Sequence, residues 1–326
     1  MRNLQTVRTA CTLVLAALLG PLAALSAHAA QDWPERPIKL VVPYPAGAGA
    51  DTTARIVAEK LGGRLGQPVV VDNRPGAATN IAMEGVIHAP ADGYTLFFAL
   101  PTVVQNPYLY KLRFDPRTEL RAVSKLTEVS FVLLAGKDFA PRSLAEVLKL
   151  AAERPGHVTC GSPGATPGLG CELLRIRGKV DITVVPYKGN APALTDLAGG
   201  QISLLFDLVS SAKPHVTSGR VRALATTNAK RGDPQFPDLP TVSETLPGFE
   251  LTAWQGVMVP AKTPDAVVQR LDRELAAVMA DPDVQGRLAA NGLTPSYENA
   301  TRFRQTLARE FTHYEKLIRE TGMKGE

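Results

Sequence analysis

Short β-branched runs alternate with helical patterns along this chain, and glycine or proline stands at most of the joints. That alternation leaves few folds open. Strands that each lead into a helix build βαβ units around a largely parallel sheet. The clearest unit is "LVVPYPAGAGADTTARIVAEKL", beginning at Leu40. Residues 38–42 read as a buried strand ended by Pro43. Residues 52–65 read as a helix with Ala54, Ile56, Val57, Ala58, Leu61 and Leu65 on its apolar face and Asp51 as its N-cap.

The pattern continues with strand 69–72, the loop "NRPGAATN" (73–80), a helix through residue 89 and strand 95–99. A second set follows: strand 131–135, helix 144–153, strand 158–160, a glycine- and proline-rich loop at 161–170 and helix 171–177. After it come strand 182–185, helix 191–197 and strands 202–206 and 221–226. Residues 232–248 are proline-rich and read as a surface segment. Amphipathic helices are expected over 264–279 and 301–321. At 326 residues, 45% hydrophobic and 21% charged, the chain has globular composition and length for about two domains.

The joint after the first strand has the outline of a phosphate-binding turn, but the details fail. Thr52 stands where a dinucleotide fingerprint needs its third glycine, and no Gly-Lys-Ser/Thr opens the helix. What survives is the helix-end physics. A helix N-terminus presents unpaired N–H groups and a positive dipole end, and a glycine approach lets an anion reach them. No lysine or arginine lies in residues 43–54, so such a site binds through amides. "VVPYPAGA" from Val41 is echoed by "VVPYKGNA" from Val184; either each domain offers a helix N-terminus to a shared cleft, or the echo is a coincidence of strand-ending chemistry, since Pro and Gly punctuate most βα turns. "CGSPG" (160–164) is one residue from a nucleophile elbow, with Cys160 in place of the first glycine. Ser162 as a nucleophile of an exported hydrolase is one reading, and Ser162 as a hydrogen-bond donor is the other.

The first residues read as an export signal. Arg2 and Arg8 precede an apolar run from Cys11 to Ser26, and Ala27-His28-Ala29 offers small residues for cleavage after Ala29. No later stretch is long and apolar enough to span a bilayer. Removing residues 1–29 takes away two arginines and no acid, so the net charge of +5 falls by two to +3. No basic run interleaves with aromatics, which argues against nucleic acid as a partner. Cys160 and Cys171 remain; they either form a disulfide or stay as separate buried thiols. Neither their spacing nor the scattered histidines make a metal site, and no cofactor is expected.

Across the mature chain, "WPERPIKLVVPYPAGAGADTTARIVAEKLGGRLGQPVVVDNRPGAATNIA", "PADGYTLFFA", "VVPYKG", "DLAGGQISLLFD", "GRVRALATT", "FPDLPTVSE" and "PAKTPDAVVQRLDREL" occur in one order. This ordered set resembles the Bug family, the solute receptors of tripartite tricarboxylate transporters. The resemblance implies a two-domain α/β periplasmic binding protein of the Venus-flytrap, type II-like kind. Each domain would be a mixed, mostly parallel sheet flanked by helices, and two crossing strands would join them. Domain 1 would take residues 30–130 and 254–326, and domain 2 residues 131–253. It further implies a monomer in the periplasm that binds a small carboxylate and delivers it to the permease subunits. A ligand-sensing subunit for a membrane-bound regulator is the alternative.

Carried over residue by residue, the resemblance places the ligand carboxylate on the amides of Ala46, Gly47, Ala48 and Gly49, with Tyr44 as a wall. Ser162, Gly164, Thr166 and Gly168 form the second-domain loop, Asp207 ends a nearby strand, and Asn80 and Thr102 stand at loop ends. Lys188 reads as solvated. The sequence departs from the family in two places. Ala46-Gly47-Ala48 replaces a Pro-Gly-Gly core, which is compatible with amide donation only if the alanines keep negative φ. The second loop is shortened and stiffened by Pro163 and Pro167.

Overall fold

A computed structural model describes residues 33–228, 230–249 and 251–325. The expected signal segment lies outside these residues. Strand β1 (Ile38–Val42) enters helix α1 (Gly49–Leu65), followed by β2 (Val69–Asn73), α2 (Asn80–Ile87), β3 (Thr95–Ala99), α3 (Thr102–Leu109) and the short α4 (Pro116–Glu119). The long strand β4 (Leu120–Gly136) leads to α5 (Leu144–Glu153), β5 (Val158–Ser162), α6 (Ala165–Gly178), β6 (Ile182–Pro186), α7 (Asn190–Ala198) and β7 (Leu204–Leu208). Then come α8 (Val209–Thr217), β8 (Val221–Thr226), α9 (Val242–Thr245), β9 (Thr252–Pro260), α10 (Asp265–Ala280), α11 (Pro282–Ala290), β10 (Thr294–Glu298) and α12 (Ala300–Thr321).

The strands run β2-β1-β3-β9-β4-β7-β5-β6, with β8 and β10 also paired to β4. Both wings are parallel and the middle is antiparallel. Parallel strands are covered on both faces, and β1 is buried apart from Lys39, which is exposed and pairs with Asp72 at 3.7 Å. Ile38, Leu40 and Val42 pack with Ile56, Leu61 and Leu271 on one face, and Val41 packs with Met83, Phe97 and Val103 on the other.

β4 connects the wings. Its residues from Leu120 to Ser130 pair with β9, and from Phe131 onward its partners are β7 and β8. The sequence pattern marked only 131–135 as strand. The earlier half carries Ser124, Lys125 and Thr127, yet all three are buried. Each is satisfied from another element, Ser124 by Asp272, Thr127 by Gln255 and Lys125 by Glu298, and Lys125 also bonds Glu128 of β4 itself. α12 spans the two wings from behind. Its Phe303, Leu307, Tyr314 and Leu317 share one core with Leu169 and Leu173 of α6, and Trp254 meets Phe303 edge-on at 5.0 Å.

Three further expectations are corrected. α1 begins at Gly49, not 52, and Asp51 sits inside its first turn instead of capping it. Residues 165–170 are helical, because Pro167 falls in the first turn, where a missing N–H is tolerated. Thr166 and Gly168 therefore belong to α6 and not to a loop. The surface segment 232–248 contains α9, closed by a capping box between Thr241 and Glu244. Among the described residues no helix is long and apolar enough to cross a membrane.

Candidate ligand-binding cleft

β1 lies between β2 and β3, and β5 lies between β7 and β6. From each of these strands the chain first crosses to one neighbour and later returns on the other side. At such a switch point the outgoing loops diverge and leave a crevice beyond the carboxyl ends of the strands. Residues 43–48 and 163–164 leave β1 and β5 at these two points.

The helices that follow start in an unusual way. The N-caps of α1, α2, α3, α6, α7 and α8 are Ala48, Thr79, Pro101, Gly164, Gly189 and Leu208, and none makes a side-chain cap. Elsewhere Asp115, Ser143, Asp281 and Asn299 cap their helices through side-chain oxygens, although Pro264 before α10 also makes no side-chain cap. Among the described residues the backbone N–H groups of Gly49, Ala50 and Asp51, and those of Ala165 and Thr166, have no acceptor. Such helix ends attract anions.

The first loop is held by one carboxylate. Asp51 Oδ2 accepts the Gly47 N–H at 2.9 Å and Arg55 Nε at 2.9 Å, and Oδ1 accepts Asn73 Nδ2 at 2.9 Å. Asn73 Nδ2 also donates to the Tyr44 carbonyl at 3.0 Å. Burial works to raise the Asp51 pKa, but Arg55, Gly47 and Asn73 outweigh it and hold it at about 2. Gly47 takes φ +83, whereas Ala48 has φ −71 and Ala46 is also not in the left-handed region. Both alanines thus meet the condition set by the sequence. Of the four amides expected to face a ligand, those of Gly47 and Ala48 are bonded inside the loop, Ala48 to the Pro45 carbonyl at 3.2 Å. Those of Ala46 and Gly49 stay open. Tyr44 is half-buried against the β1 core, and burial raises its phenol pKa.

Asn80 and Thr102 sit at the first positions of α2 and α3. Asn106 Nδ2 donates to Asn80 Oδ1 and to the Ala78 carbonyl, both at 2.7 Å, and Thr79 Oγ1 donates to Thr102 Oγ1 at 2.9 Å. These bonds hold a turn in which Ala77, Ala78 and Thr79 have φ of 44, 49 and 79. Three consecutive non-glycine residues there are strained, and such strain gathers at ligand clamps. Thr166 Oγ1 accepts Gln105 Nε2 at 3.1 Å, a bond from α3 to α6.

In the other wing Cys160 and Cys171 form a disulfide with a Cα–Cα distance of 5.9 Å, so β5 and α6 are covalently joined around the Ser162 turn. Ser162 packs against Gly168, where any Cβ would collide with its Oγ. Asp207 is fully buried. Its Oδ1 accepts Asn190 Nδ2 and the Leu208 N–H, Oδ2 has no partner, and burial raises its pKa. It is bonded to the first residue of α7, just after the "VVPYKG" turn.

A cavity of about 610 Å³ brings Ser162, Gly164 and Gly168 together with Tyr187, Lys188 and Tyr110. Of the residues singled out in the sequence, Tyr44, Ala46, Gly47, Ala48, Gly49, Asn80, Thr102, Thr166 and Asp207 do not line it. Lys188 is exposed at its rim. Tyr187 is fixed by a 2.7 Å bond to Asp196, and burial together with that carboxylate pushes its pKa up to about 12.

The pattern of the family described as "Tripartite tricarboxylate transporter family receptor" matches residues 53–323. The chain belongs to this family. Among solved structures it is similar to R. palustris Rpa4515 with adipate, at TM-score 0.79 and 34% identity over 90% of this chain and 100% of that one. It is also similar to the periplasmic binding protein BugD, at TM-score 0.76 and 32% identity over 90% and 100%. MatC from Rhodopseudomonas palustris with bound malate gives TM-score 0.73 and 31% identity over 88% and 100%. Members of the family are solute receptors and not enzymes, so the nucleophile reading of Ser162 is set aside.

Sequence reading missed Gln105, Asn106 and Tyr187. Gln105 and Asn106 form a polar pair inside "TVVQNPYL", and both are fully buried. A polar pair amid apolar helix residues, just before Pro107, was the available signal.

Proposed function

We propose that the protein is an extracytoplasmic receptor that binds a small carboxylate in the cleft and delivers it to the membrane permease of a tripartite tricarboxylate transporter. The observation that most supports this reading is the set of unpaired first-turn amides at α1 and α6, both uncapped and both beyond a switch point. One carboxylate end meets the open amides of Ala46 and Gly49 beside Tyr44. The remainder of the acid faces Ser162, Gly164, Thr166 and Gly168, with Asn80 and Thr102 between them. Gly47, Ala48 and Asp207 shape these loops from behind.

Residues 30–130 with 254–326 form one closing body and residues 131–253 the other, with β4 and β9 crossing between them. Closure follows from better ligand contacts in the closed state. Export uses residues 1–29, with cleavage after Ala29. The test is thermal shift against a panel of mono-, di- and tricarboxylates with nucleotides as controls. An acid at ~100 times its Kd raises the melting temperature by about 5 °C or more. Stabilisation by nucleotides alone sinks the reading.

A further inference from the structure

α12 ends where Gly322 takes φ 66 and donates to the Ile318 carbonyl at 3.0 Å. The chain beyond this cap turns back over the cavity. The Met323 N–H donates to Thr321 Oγ1 at 3.3 Å. The Gly325 N–H donates to the Leu109 carbonyl at 3.1 Å, at the end of α3. Gly325 lies so close to the Tyr110 ring that any Cβ would collide with it. On the opposite side, a Cβ on Gly168 would meet the Met323 methyl at 3.2 Å. Residues 323–325 thus bridge α3 and α6, and all three line the cavity with Ser162 and Gly164.

We propose that residues 323–325 are a strap over the far part of the ligand cleft, the cavity lined by Ser162, Gly164 and Gly168 that would take the end of the acid away from the α1 amides, and that it sets the length of acid accepted. The proposal rests on the carboxylate-receptor reading. Among the described residues the far end of the strap is held by the Gly325–Leu109 hydrogen bond and by the contact of Gly325 with the Tyr110 ring. A segment held that way opens at little free-energy cost, so it lifts for entry and settles again over the ligand. Met323 is the part that fills space. Its unbranched thioether adapts to the end of the ligand, so shortening it lengthens the available cleft. Gly325 is the fastening, since a side chain there would push the strap off Tyr110.

The experiment compares the whole chain, a chain ending at Gly322, Met323→Ala and Gly325→Val. Calorimetry and stopped flow read affinity and off-rate for linear dicarboxylates from malonate to sebacate, with matched monocarboxylates. Ending the chain at Gly322 keeps the α12 cap, and an unchanged melting temperature checks the fold. The shortened chain is expected to bind the preferred acid ~10-fold more weakly, mostly through a faster off-rate, and to shift its preference toward longer acids. Met323→Ala shifts the preference the same way with a smaller loss, and Gly325→Val reproduces the faster off-rate. If the shortened chain fails to fold, the two point variants decide. Unchanged length preference and off-rates overturn the strap alone. Failure of the whole chain to bind any acid overturns the receptor reading and the strap with it.

Discussion

The loops after β1 and β5 both lead into helix N-termini without side-chain caps but are held by different physics. The first hangs on a polar latch: Asp51 gathers Gly47, Arg55 and Asn73. The second is fixed by the Cys160–Cys171 bond and by close packing around glycines. A latch of hydrogen bonds to a carboxylate depends on its charge, whereas a disulfide depends on redox state. The two jaws should therefore fail under different conditions, and each failure can be produced without the other.

The largest effect is expected from the bond. Replacing both cysteines by serine releases a loop closed across a sequence separation of 11. Loops of this size lose about 3 kcal/mol of stability on opening. Denaturant unfolding reads the loss, and hydrogen exchange places it at residues 161–170 with the first loop unchanged. Equal loosening of both loops breaks the distinction drawn here.

Next in size is the latch. Asp51 falls from an ordinary 3.8 to about 2 in the fold, and its side chain is only 4% exposed. A depressed carboxylate pKa stabilises above the unfolded value and ceases to do so as pH falls through the folded one. Asp51 thus contributes about 2 kcal/mol near neutrality that is lost between about pH 4 and pH 2. Asp51→Asn should remove that part of the acid transition, while reductant leaves it in place. Thermal melts from pH 6 to pH 2 check the difference.

How much of this was legible beforehand follows the same division. Strands 38–42, 95–99 and 221–226 were read with their observed limits, because apolar β-branched runs between turn residues depend on nothing distant. The first half of β4 was not, since Lys125 looks solvent-bound until Glu298 is brought to it from β10. α3 was hidden by Pro107 and by Gln105 and Asn106, whose partners lie on other elements. In the site, the loop positions were visible as glycine and proline punctuation. The work of Asp51 was not, because an N-cap and an N3 latch differ by three residues in the helix start. The disulfide stayed open because spacing does not supply a Cα distance.

A smaller effect tests the packing in the second jaw. Gly168→Ala places a methyl group against Ser162 Oγ and toward Met323. Overpacking of this kind costs about 1.5 kcal/mol, here through a shifted Ser162 rotamer. Ligand affinity should fall by about 10-fold, with calorimetry as the readout. Ser162→Ala in the Gly168→Ala background should recover part of the packing loss, which separates crowding from loss of the hydroxyl.

The finest comparison lies within the first loop. Gly47 and Ala48 are neighbours, and a Cβ on Gly47 would meet nothing within 4 Å. Gly47→Ala is therefore a test of backbone conformation alone. At φ +83 an alanine costs about 1 kcal/mol, and the Gly47 amide would also move away from Asp51. Ala48→Gly introduces the glycine that the family resemblance implies at this position, yet φ −71 is already open to alanine. Glycine is the better N-cap, but it also gives the unfolded chain more freedom. These effects oppose each other, so the net change should stay within about 0.5 kcal/mol, and affinity within a few-fold. A large gain from Ala48→Gly would mean that the Ala48 methyl itself obstructs the ligand. The departure from Pro-Gly-Gly would then be a determinant of which acid fits, and not a neutral exchange at a position whose backbone already complies.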